Sequence, residues 1–122
     1  MSERSAVITG GTIVDGTGRC AFKGDIVIED DRIAAVIPSE EAPKGGYSQD
    51  ISFDASGCLV TPGFIDAHAH SDAYLILEPD APSKISQGIT TEINGQCGGS
   101  AAPRYGEARL SSDWASLLGE KL

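Results

Sequence analysis

Pro62-Gly63 separates two stretches of different hydrophobic pattern, and that break limits the possible folds more than any single motif. Before it the apolar residues come in short β-prone runs divided by turn residues. Residues 6 to 14 are two such runs interrupted by Gly10-Gly11, which predicts a hairpin or a bulged strand, and Asp15-Gly16-Thr17-Gly18 then marks a turn. Residues 24 to 29 and 32 to 37 flank Asp30-Asp31 as a hairpin would. Residues 38 to 50 are polar and aperiodic and read as a surface loop, and a strand-like pair follows at 51 to 54 and 58 to 61, joined by Ala55-Ser56-Gly57. After the break the chain alternates: a strand over 64 to 70, a mixed loop, a short helix from Pro82 through Ser86 stopped by Gly88, and a buried strand over 89 to 93. All-β followed by β/α alternation predicts a small β domain over residues 1 to 61 and the start of a parallel α/β architecture over 62 to 122. Ser111 or Ser112 caps a last helix, with Trp114, Leu117 and Leu118 on one packing face.

Charge removes several classes of function. With 18 acidic against 9 basic residues, the formal net charge of -9 repels phosphate backbones and anionic lipid surfaces, so neither nucleic acid nor membrane is an expected partner. The amino terminus lacks the apolar core of a secretory signal, and no stretch reaches the ~20 apolar residues that span a bilayer. The expected location is cytoplasmic. Gly16 and Gly18 complete neither a dinucleotide fingerprint nor a P-loop. Cys20, Cys58 and Cys97 are widely spaced and odd in number, which argues for reduced thiols over a disulfide framework.

Both histidines of the chain lie just after the break. Asp66, His68 and His70 alternate with Ile65, Ala67 and Ala69, so a strand places the polar side chains on one face. Imidazoles two positions apart on a strand have Cα atoms roughly 6.5 to 7 Å apart, close enough to converge on one ion. If the strands at 64 to 70 and 89 to 93 are parallel neighbours, their carboxyl ends share a rim, the place where α/β folds build active sites. His70 then ends one strand and Cys97 follows the other. Nitrogen and sulfur donors favour zinc over magnesium or calcium, and zinc with an open position lowers the pKa of a bound water to roughly 7. Cys97 also reads as a small buried hydrophobe, although its glycine-rich setting suits a core poorly. Asp66 reads as a buried acceptor that orients a histidine or binds backbone amides. Ser71 and Asp72 fall in the loop beyond.

These residues resemble a known family. Thr61-Pro62-Gly63-Phe64-Ile65-Asp66-Ala67-His68-Ala69-His70 is similar to the Pro-Gly-x-Ile-Asp-x-His-x-His opening of the metal-dependent amidohydrolase superfamily. Within it, His70-Ser71-Asp72, Ser86-Gln87-Gly88-Ile89-Thr90-Thr91 and Asn94-Gly95-Gln96-Cys97-Gly98 resemble the N-acyl-D-amino-acid deacylases, or D-aminoacylases. The stretches 11 to 16 and 31 to 34 resemble the small β domain that precedes the barrel in such enzymes. The resemblance implies zinc held by His68, His70 and Cys97, and an N-acyl amino acid as the small-molecule substrate. Cyclic amidases of the dihydroorotase and hydantoinase type share the His-x-His, but the former favour an Arg where this chain has Asp72, and they lack the cysteine.

A (β/α)8 barrel needs about 250 residues, and this chain has 122. The resemblance therefore implies an amino-terminal piece of a deacylase, part of a small β-sandwich followed by the first two β/α units of the barrel. The remaining metal histidines and a catalytic aspartate are expected downstream, and no catalytic residue in this chain, which alone should be inactive. The competing expectation is a non-catalytic metal-binding or assembly module that self-associates or pairs with a complementing chain, because unclosed barrel strands expose edges and apolar faces.

Overall fold

The computed structural model describes residues 5 to 100 and 112 to 119, which divide into two compact units, Met1–Pro62 and Gly63–Leu122. In the first unit β1 (Ser5–Ile13), β2 (Phe22–Glu29), β3 (Arg32–Pro38), β4 (Ile51–Asp54) and β5 (Leu59–Val60) form one five-stranded sheet. Its order is β3-β2-β1-β4, with β5 also on β1. The two runs around Gly10-Gly11 are one strand with a bulge: the register with β2 shifts between Ile8 and Gly11. β2 and β3 pair antiparallel across Asp30, whose φ of 53° is left-handed, a conformation short polar side chains tolerate. β4 and β5 do not form the pair their short linker suggested. Both lie parallel to β1, Ala6 opposite Ile51 and Thr12 opposite Leu59, so the segment between them carries the chain along one edge rather than back on itself. Val7, Ile13, Ile26 and Val27 form the buried core of this unit.

The bulge has a polar consequence. Gly10 N–H leaves the ladder and donates to Asp25 Oδ1 at 2.8 Å, and Tyr47 Oη donates to Asp25 Oδ2 at 2.7 Å. Asp25 is buried, so both bonds offset the desolvation of its carboxylate. Burial first, and then the bond to Asp25 and its charge, push the Tyr47 phenol up to about 12. Folding therefore holds the phenol proton. The stability this contributes is full below the phenol's ordinary value near 10 and is lost as the pH rises through about 12. Tyr47→Phe should destabilise the unit by about 1 to 3 kcal/mol at neutral pH and flatten that alkaline decline, both readable in urea melts from pH 8 to 12. An unchanged alkaline slope would count against the arrangement.

In the second unit β6 (Phe64–Asp66) and β7 (Ile89–Glu92) form a two-stranded parallel sheet, with Phe64 opposite Ile89 and Asp66 opposite Glu92. Between them lie α1 (Asp72–Leu77) and α2 (Pro82–Ile85), and α3 (Ser112–Leu118) packs on α1. Gly63 lets β6 begin beside β7, since a Cβ there would fall on the Thr90 side chain. Pro82 occupies the first turn of α2 and Gly88 (φ 76°) follows its end.

Three expectations are corrected here. The strand over 64 to 70 stops at Asp66, so His68 and His70 stand in the loop beyond it. The cause is local: Asp66 Oδ1 accepts the His68 N–H at 3.2 Å, a side-chain bond that replaces a ladder bond and turns the backbone. The mixed loop contains α1, whose Ala, Leu and Ile residues favour a helix until Glu78-Pro79. β7 is not buried: Thr90 and Thr91 are exposed, because a two-stranded sheet leaves its outer positions uncovered among the described residues. For the last helix, Ser111 lies outside the described residues, Trp114 is half-buried, and nothing is described of the Leu118 side chain. A Cβ on Gly99 would lie 3.7 Å from the Trp114 ring. Among the described residues no helix is long and apolar enough to cross a membrane.

Candidate metal centre

The parallel pairing of β6 and β7 sends both chain segments out of the sheet at one end. Two backbone bonds extend the association past the strands: Ile93 N–H donates to Asp66 O at 2.9 Å and Ala69 N–H to Ile93 O at 3.1 Å. His68 and His70 leave on one segment and Cys97 on the other. Their ligand atoms all lie within 4.8 Å of one another. His68 Nε2 is 3.4 Å from Cys97 Sγ, and the two imidazole rings stand 5.2 Å apart, centroid to centroid, tilted by 56°.

Cys97 reaches this position through an uncommon backbone. It sits in a short 3-10 turn, Gln96–Gly98, with φ 54° and ψ 26°, between Gly95 (φ 79°) and Gly98 (φ 80°). A left-handed L-residue costs roughly 1 to 2 kcal/mol, which the glycines on this turn avoid and the cysteine does not. Hydrogen bonds hold the turn: Gly95 N–H donates to the buried Asp72 Oδ2 at 3.4 Å, and Gln96 Nε2 to Ile93 O at 3.3 Å. Ser71 N–H donates to Asn94 Oδ1 at 3.2 Å. Ser71 and Asp72 thus tie the histidine loop to the cysteine loop.

Behind the three donors lies an ion cluster. Lys84 Nζ is 2.8 Å from Asp66 Oδ2 and 3.1 Å from Glu92 Oε1. Glu92 also accepts from Ser71 Oγ at 3.4 Å and from Asn94 Nδ2 at 3.2 Å. The bond from Lys84, then that from the His68 amide, lowers the Asp66 carboxyl below its ordinary range. Burial pushes Glu92 up, but the bonds from Lys84, Asn94 and Ser71 together outweigh it and hold Glu92 low. The bonds to Asp66 and Glu92 raise Lys84. The cluster is therefore fully charged at neutral pH. Asp66 accepts a backbone amide as expected, but it is half-buried where a buried acceptor was expected, and Lys84 and Glu92 are charged neighbours that the sequence did not point to.

Two imidazoles and a thiol form a borderline-soft donor set. A tetrahedral zinc site with bonds of about 2.0 and 2.3 Å has nitrogen–sulfur edges of about 3.5 Å, matching the His68–Cys97 separation of 3.4 Å. His70 is exposed, so its side chain is free to turn the short remaining distance. The donor set fits zinc. Cys20 and Cys58 are exposed free thiols that join no metal-ligand group among the described residues.

Comparison with known proteins places this site in context. A family model described as "Amidohydrolase family" matches residues 52 to 117. An N-acyl-D-aspartate deacylase from Alcaligenes xylosoxydans xylosoxydans is 42% identical over 97 residues, which are 80% of this chain and 18% of that protein. Among solved structures, an N-acyl-D-glutamate deacylase from Bordetella bronchiseptica, complexed with zinc and a phosphonate mimic of the tetrahedral intermediate, aligns with a TM-score of 0.72 at 37% identity. That alignment covers 95% of this chain and 27% of the enzyme. A D-aminoacylase, studied for its binuclear metal centre, aligns at 0.71 and 34% identity over 93% of this chain and 26% of its own length. The chain thus spans about a fifth to a quarter of the relatives it matches.

Proposed function

The chain belongs to the amidohydrolase family, and from that premise we propose that the whole protein is a zinc-dependent hydrolase of N-acyl-D-amino acids in which His68, His70 and Cys97 belong to the metal centre. The observation that carries this reading is the convergence of those three ligand atoms within 4.8 Å, on an α/β framework similar to the deacylases. Zinc, when bound, supplies Lewis acidity and lowers the pKa of a water at neutral pH. The chain's own residues do the rest of what this segment contributes. His68 and His70 would present ring nitrogens and Cys97 its sulfur to the ion, and Asp66 fixes the His68 backbone through its amide. In the overall reaction the acyl carbon gains the water oxygen, the carbon–nitrogen bond breaks, and a proton passes to the departing amine. The general base is assigned to an aspartate outside this chain, so the chain by itself is inactive.

In the same reading residues 1 to 61 are part of a small β-sandwich domain and residues 62 to 122 begin a (β/α)8 barrel. The parallel pairing of β6 with β7 across two helices supports it. Phe64, Ile65, Ile85 and Ile93, each at least half exposed, are the surface on which later barrel elements would close. The same surface supports the second reading, an assembly module that self-associates through it. Sedimentation tests the second reading: it predicts that the 122-residue chain associates, and a compact monomer with a cooperative melt removes it. The main test is enzymatic. The whole protein should release amino acid from N-acyl-D-amino acids, lose that activity to a chelator and regain it with zinc. No release with zinc present would remove the proposal.

A further inference from the structure

We infer that Lys84 is a positioning residue for the metal centre, its ammonium locking the strand that leads into His68 to the strand that leads into Cys97. The inference rests on the proposed zinc site for its functional meaning, but its physical content is independent of metal. Asp66 and Glu92 face each other as partners across β6 and β7, and like charges directly opposite in a sheet repel. Lys84 stands against both carboxylates, at 2.8 and 3.1 Å, on a side chain only 20% exposed, with Asp66 28% and Glu92 9% exposed. Two short strands cannot hold that pairing by themselves, since β6 has 3 residues, β7 has 4 and their register shifts between Phe64 and Ile65.

The two carboxylates are also the points from which the site is tied together. Asp66 accepts the His68 amide. Glu92 accepts from Ser71 and from Asn94, and Asn94 accepts the Ser71 amide just before the turn that carries Cys97. One cation thus satisfies both anchors, which a compact ammonium with three donors can do from a single point. Removing it leaves two facing, partly buried carboxylates with weakened bonds to the histidine and cysteine loops.

The test measures amide hydrogen exchange in the 122-residue chain without metal, reading Ala69 and Ile93, whose N–H groups bond to Ile93 O and Asp66 O. Lys84→Met should lower their protection by about tenfold or more, with β1 and β2 amides unchanged. Lys84→Arg should stay within about threefold of the parent, and the double variant Lys84→Met/Glu92→Gln should regain part of the loss by removing one of the facing charges. The double variant also serves if Lys84→Met alone unfolds the unit. Unchanged protection in Lys84→Met, which keeps an apolar stem and loses only the ammonium, or a loss that the double variant does not relieve, overturns the inference. The same samples titrated with cobalt separate the two readings. Parent chain that shows no thiolate-to-cobalt absorption overturns the zinc site, while exchange still decides the strand lock. Parent chain that binds cobalt should bind it about tenfold more weakly with Lys84→Met, and equal binding overturns the positioning role.

Discussion

Cys97→Gly in the 122-residue chain is expected to bind zinc at least about a hundredfold more weakly than the parent and, loaded with cobalt, to lack thiolate-to-metal charge-transfer absorption. Glycine is chosen over alanine for a reason in the backbone. Cys97 has φ 54°, where an L-residue is strained by roughly 1 to 2 kcal/mol, and glycine is not. The variant should therefore melt at or above the parent temperature, so that weaker binding reports the missing sulfur and not a damaged loop. Isothermal titration and a thermal melt on the same samples decide it. Parent-like zinc affinity would mean that the thiol is a bystander beside two histidines.

The second large effect belongs to the whole protein. His68→Ala and His70→Ala should each reduce kcat/KM for an N-acyl-D-amino acid by about 10³-fold or more, because each removes a donor that positions the Lewis acid responsible for several kcal/mol of barrier lowering. In the 122-residue chain both side chains are exposed, so there neither change opens a cavity and the melting temperature without metal should move little. Excess zinc should recover only part of the rate, since occupancy returns before geometry does. Activity within tenfold of the parent in either variant would detach the reaction from this pair.

Much of the fold was readable because its signals were local. The Asp30-Asp31 hairpin, the glycine bulge in β1 and Pro82 at the start of α2 each depend on residues within a few positions. Long-range partners were not readable: the short linker between β4 and β5 suggested they pair with one another, whereas both pair with β1, more than 40 residues earlier in sequence. The alternation of Asp66, His68 and His70 indicated which residues meet but not how. They meet in a loop, because the Asp66 carboxylate takes the His68 amide out of the strand, so convergence comes from the turn and not from a period of two. The lysine between the two carboxylates was hidden for the same reason. Nothing near Lys84 in sequence says that Asp66 and Glu92 will face each other, which only the parallel register establishes.

The central claim is that His68, His70 and Cys97 belong to one metal centre. Zinc K-edge absorption fine structure on the zinc-loaded 122-residue chain tests it most directly. The expected first shell contains nitrogen at about 2.0 to 2.1 Å with imidazole outer scattering, together with sulfur at about 2.3 Å that disappears in Cys97→Gly. A shell of light scatterers alone, or a sulfur contribution that survives in Cys97→Gly, would contradict the account.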